Sequence, residues 1–150
     1  MDALIQAFFR ILLLRAGPQI IPPSTALMWL VLLLHFAIGF LLTVFTQPLG
    51  YSVLSSLVGT LIMVAVVHGL LLFYRQHARY LQTLTALAAC EVLLGLMLLP
   101  LSLSALYSQD GGSGELTSLL AILWLMVVGW NVAVAAHIFR HALSVSIGVG

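Results

Sequence analysis

The sequence predicts an all-α polytopic transmembrane bundle: four full spans, an N-terminal interfacial helix before them and the start of a fifth span after them. Three observations carry this. Of the 150 residues, 63% are hydrophobic and only 6% charged, whereas soluble domains are roughly half apolar and about a quarter charged. Four apolar runs each reach the ~20 residues needed to cross about 30 Å of hydrocarbon. Each run also ends on turn residues or charges. A soluble chain of this size exposes much of its surface, and four acids with five arginines cannot cover it. The apolar surplus faces lipid.

Residues 1–17 form the first unit, a helix from Asp2 to Arg15 expected to lie on the membrane. Asp2, Gln6 and Arg10 fall four apart and make one narrow polar stripe, with leucine, isoleucine and phenylalanine filling the rest. The segment is too short to span, and arginines that reach the headgroups suit an interfacial position; the alternative is a helix packed under the bundle. Asp2 stands where a signal peptide carries its basic region, so the segment is expected to stay on the protein. Gly17, Pro18, Pro22 and Pro23 break it, and Ser24 or Thr25 is placed to cap the first span.

Residues 24–150 form the bundle. Its spans are expected at about Ala26–Phe45, Tyr51–Phe73, Leu81–Tyr107 and Leu116–Phe139. The connections are short, the longest running from Ser108 to Gly114, so none contains a soluble domain. Pro100 is a candidate kink in the third span. The tail from Ala142 to Gly150 reads as the opening of a fifth span, because nine helical residues cover only about 14 Å.

Charge sets the expected orientation. With four spans, Arg10, Arg15, Arg75, Arg79 and Arg140 all fall on one side of the membrane, while Asp110 and Glu115 fall on the other. The positive-inside rule makes the arginine side cytoplasmic, with the N-terminus inside. Tyr51, Tyr74 and Tyr107 stand at span ends, where amphipathic rings prefer the headgroup zone. A net charge of +1 without a basic face excludes nucleic acid as a partner. Cys90 is the sole cysteine, so no intramolecular disulfide forms.

Polar residues at membrane depth are costly and therefore informative. His35, His68, Glu91, Asn131 and His137 are the five that matter. Counted from the arginine end, His35, Glu91 and Asn131 each lie roughly 14 to 16 Å deep at 1.5 Å per residue. They are expected to form one hydrogen-bonded layer inside the bundle. Such a layer is either a proton or substrate relay, or interhelical glue worth about 0.6 to 2 kcal/mol per contact. Two other readings of the histidines carry less. His68 and His137 match in depth, as bis-histidine haem ligands would. His137 and His141 have the i, i+4 spacing of a metal pair, but Arg140 beside them repels a cation and no third ligand is near. No cofactor or metal is expected. Nor is an enzyme: the chain has no H-E-x-x-H, no G-x-S-x-G and no paired aspartates. Its serines, Ser52, Ser55, Ser56, Ser102 and Ser104, crowd span ends, where small residues let helices approach.

Three stretches carry a resemblance: Leu13-Leu14-Arg15-Ala16-Gly17-Pro18-Gln19, Gln82-Thr83-Leu84-Thr85-Ala86-Leu87 and His137-Ile138-Phe139-Arg140-His141-Ala142-Leu143. Together they resemble small bacterial inner-membrane proteins distantly similar to the five-span Yip1-like family. The resemblance implies a compact helical bundle with a short interfacial N-terminal segment and a complete fifth span, and it brings no catalytic residues. The expected function is a non-catalytic accessory or scaffolding subunit, seated in the lipid bilayer and docked on other integral membrane proteins. The alternative is a small transporter, or a haem- or quinone-binding membrane protein, that uses the His35, Glu91 and Asn131 layer.

Overall fold

The structure, a computed structural model, describes residues 2–108 and 114–143. Helix α1 covers Asp2–Leu12, α2 Thr25–Val44, α3 Leu49–Phe73, α4 Tyr80–Ser108 and α5 Gly114–Ala142. Short 3₁₀ turns at Pro18–Ile20 and His77–Arg79 join α1 to α2 and α3 to α4. No strand occurs among the described residues. Four helices are long and apolar enough to cross a membrane, over Thr25–Val44, Leu49–Phe73, His77–Ser104 and Ser118–Ala142. The protein is thus an all-helical bundle with multi-pass character. The loop bearing Asp110 and the tail from residue 144, where the sequence places the opening of a fifth span, lie outside the described residues.

Local chemistry sets the boundaries. The Ser24 hydroxyl accepts from the Leu27 amide at 3.3 Å, capping α2 at its N3 position. At the ends of α1 and α3 the chain turns through a left-handed residue, Leu14 (φ 60°) and Arg75 (φ 57°). In each case that residue's amide and the next one fold back on the last turn. Leu14 donates to Ile11 and Arg15 to Arg10, while Arg75 donates to Leu72 and Gln76 to Leu71. These are Schellman caps built without glycine. Helix α4 runs unbroken through Pro100.

Helix α4 is the hub: α1, α2, α3 and α5 all pack on it, whereas α2 and α5 barely touch each other. Every residue from Thr83 to Cys90 is buried. Six of those eight are threonine, alanine or cysteine, small enough to let several helices approach from different sides. Gly95 continues this closeness, since a Cβ there would collide with Ile38 of α2.

Helix α1 packs against α4 and α5 through Ala7, Ile11 and Leu12, with Ile11 wholly enclosed. Its Gln6 and Arg10 stripe and its Ile5, Phe9 and Leu13 row stay exposed. The Trp130 indole N–H donates to the Leu12 carbonyl at 3.1 Å. Trp130 lies about ten residues, or ~15 Å along α5, from Arg140. One end of α1 is therefore held beside the middle of α5.

The segment between α1 and α2 is stitched across the bundle's arginine end. His137 Nε2 donates to the Ala16 carbonyl at 3.1 Å, and Gln82 donates to the Ile21 carbonyl at 2.8 Å. Gln19 donates to the His141 carbonyl at 2.9 Å, and the Arg79 guanidinium donates to the carbonyls of His141 and Ala142 at 3.0 and 3.1 Å. The last carbonyls of α5 thus meet a cation and an amide, which satisfies groups a helix leaves open and complements its dipole.

Candidate functional site

Helices α2, α3 and α4 bring three polar side chains together halfway along their lengths. His35 Nε2 lies 2.7 Å from Glu91 Oε2, and His35 Nδ1 lies 3.1 Å from Thr60 Oγ1. Thr60 in turn donates to the Ser56 carbonyl one turn back, at 2.8 Å. Because that bond uses the only hydroxyl proton, the Thr60 oxygen must accept from Nδ1–H. The tautomer is thereby fixed at one nitrogen. A single proton remains between Nε2 and Oε2, and the pair is electrically neutral as a whole wherever that proton sits. This neutrality is how a carboxyl group is accommodated at membrane depth.

Glu91 and His35 are half-buried, with 26% and 17% of their side-chain surfaces exposed. What they face is a cleft of about 360 Å³ between α2, α4 and α5. It exists because α2 and α5 sit on α4 without closing on each other. Asn131 lines the same cleft from α5. Its amide makes no hydrogen bond to either partner among the described residues, and Glu91 Oε1 accepts none. The three residues expected in one layer thus share one cavity, but only His35 and Glu91 are joined. From that polar level the lining runs on through Leu42, Leu98 and Val127, toward the end away from the arginines.

Thr60, the residue that orients His35, carries no sequence signal of its own. Its spacing from Ser52 and Ser56 makes an i, i+4, i+8 row on α3, and that row marks the face turned to α2.

The other histidines are held apart. His68 stands edge-on to Tyr80, ring centroids 5.4 Å apart, beside a second cleft that His77 also lines. His137 and His141 stack at 4.3 Å, and His141 Nδ1 donates to the His137 carbonyl at 2.9 Å. His68 on α3 thus meets Tyr80 at the start of α4, while His137 on α5 meets Ala16 and His141. Among the described residues no group of three or more His, Cys, Asp or Glu side chains gathers for a metal.

Four of the five arginines collect at one end. Arg75 and Arg79 lie in the α3–α4 connection, Arg140 in the last turn of α5, and Arg15 beside the Ala16 carbonyl that His137 binds. Arg10, Arg15, Arg75 and Arg140 are exposed.

Among its described residues, the far part of α5 is largely exposed. No residue from Leu119 to Met126 is buried, on any side of the helix. Lower on α5, Gly129, Ala133 and Ala136 are all exposed, and a Cβ on Gly129 would meet nothing within 4 Å. The Gly129-x-x-x-Ala133 spacing is the sequence signal that marks this strip. No family model matches the chain, nor does any curated protein or solved structure.

Proposed function

We propose that the protein is a non-catalytic accessory or scaffolding subunit of a larger membrane assembly, resident in a bacterial inner membrane with its N-terminus and arginine belt in the cytoplasm. The observation that carries this reading is α5, where no described residue from Leu119 to Met126 is buried and all but Leu120 are exposed, with Gly129, Ala133 and Ala136 exposed below. Lipid tails are as apolar as leucine, so membrane helices associate through close backbone approach at small residues. An exposed glycine–alanine strip on the face of α5 turned away from its buried residues is suited to such an approach. The test is purification from mild detergent with Gly129→Leu and Ala133→Leu beside the parent chain. A partner protein that co-purifies with the parent and is lost from both variants supports the proposal. Recovery of the parent as a free protein without any partner overturns it.

A second reading is favoured by the His35–Glu91 pair at a cleft wall. In it the protein is a small transporter or a lipophilic-cofactor protein. Proteoliposomes separate the two readings: a relay dissipates an imposed pH gradient with the parent chain and not with Glu91→Gln, whereas a purely structural pair leaves both equally tight.

A further inference from the structure

We infer that the cleft between α2, α4 and α5 binds the neutral hydroxyl head of a single lipid-soluble molecule, held between Glu91 and Asn131. The inference deepens the ligand-binding reading of this cleft and rests on it.

The two groups that face the cleft without a protein hydrogen bond are complementary to a hydroxyl. Glu91 Oε2 is engaged by His35, and Oε1 remains as an acceptor. The Asn131 amide offers two N–H donors from the opposite wall. A hydroxyl donates to the first and accepts from the second, so one small group satisfies both. His35 contributes no further bond, because both of its nitrogens are in use. It fixes the carboxyl instead.

Charge narrows the class. No arginine lines the cleft, and the His35–Glu91 pair is neutral as a whole, so nothing there compensates a phosphate or an ammonium. The site lies about 15 Å along each helix from the arginine end, where an ionic head is expensive and a lone hydroxyl is cheap. A volume of about 360 Å³ is at the small end of ligand pockets and takes a head with the first part of a tail. Ile38, Leu42, Leu94 and Leu98 supply the apolar wall along which the tail runs toward the arginine-poor end. Long-chain alcohols, diacylglycerols and reduced quinones share this chemistry.

The test uses the purified full chain in lipid nanodiscs with a long-chain alcohol bearing a photoreactive diazirine in its tail. Labelled peptides are read by mass spectrometry. Labelling should concentrate on the cleft-facing peptides of α2, α4 and α5, and unlabelled alcohol should compete it away. Val128→Trp fills the cleft while leaving Glu91 and Asn131 in the sequence, and should cut this labelling at least about tenfold, the change 1.4 kcal/mol of lost binding produces. Asn131→Leu should cut it several-fold while size-exclusion behaviour is unchanged, and carries the test alone if Val128→Trp does not fold. Competition by a diacylglycerol and by a reduced quinone, run separately, identifies the source of the hydroxyl. If the methyl ether or the phosphate ester of the probe labels the cleft as well as the alcohol does, the hydroxyl assignment fails while a ligand cleft stands. If labelling is spread evenly over the lipid-facing helices and neither variant changes it, both fail.

Discussion

Thr60 decides how His35 meets Glu91. By accepting from Nδ1 it commits the opposite nitrogen to the carboxyl, and three helices are tied through one imidazole. Replacing Glu91 with leucine removes the bond and leaves Nε2 facing an apolar group. The bundle should loosen by about 1 to 2 kcal/mol, read as an earlier unfolding midpoint when SDS is titrated into mixed micelles. Glutamine at the same position offers Nε2 an amide N–H in place of the shared proton and should lose less than leucine. Equal losses would mean that the carboxyl contributes only its volume. A second residue-scale effect lies at the α3 cap. Arg75 is exposed and adopts φ 57°, a conformation that costs a side chain with a Cβ roughly 1–2 kcal/mol. Arg75→Gly should therefore raise stability by about 0.5–1 kcal/mol after the unfolded-state entropy of glycine is set against it. Leu14→Gly should bring no such gain. Leu14 has the same backbone geometry but packs against the core, so the substitution removes contacts along with the strain.

Between elements, the decisive contacts are those on α4 and at the end of α5. Arg79→Ala would strip the last two carbonyls of α5 of their cationic donor. The expected cost is about 1.5–3 kcal/mol, the range for hydrogen bonds to charged groups, measured by the same SDS titration. Arg79→Lys should recover only part of it, since a point charge does not reproduce the guanidinium fork. Much of this level can be read from the chain, and some cannot. The spans are legible because a run of ~20 apolar residues has one use, and the depth match of His35, Glu91 and Asn131 follows from helix rise alone. Rotation about each helix axis is not legible in a sequence that is apolar all round, because no amphipathic stripe points inward. That is why the choice of His35 over Asn131 as the partner of Glu91, and the role of Thr60, emerge only from packing. The helix ends at Leu14 and Arg75 are obscure for another reason: neither position has the glycine that usually marks such a turn. The buried face of α1 is half visible, as the apolar remainder around a polar stripe.

At the scale of the molecule, the contacts and the charges agree about one end. The α1–α2 segment, the start of α4 and the end of α5 are bonded into a single layer, and Arg15, Arg75, Arg79 and Arg140 sit in or beside it. The opposite end holds the α2–α3 turn, Thr46, Gln47 and Pro48, with no basic residue. A membrane potential and the insertion machinery both resist carrying arginine outward, so the bonded layer should face the cytoplasm. Single cysteines at Arg75 and Gln47, both exposed, report the two ends directly. They are introduced into a Cys90→Ala background, which the small residues already lining that buried stretch of α4 should tolerate. An impermeant thiol reagent added to intact cells should modify the cysteine at position 47 and spare the one at 75, and disrupted cells should expose both. Modification of position 75 in intact cells would invert the protein in the membrane. It would also put the α1–α2 segment outside, and no partner in the cytoplasm could then reach the arginine belt.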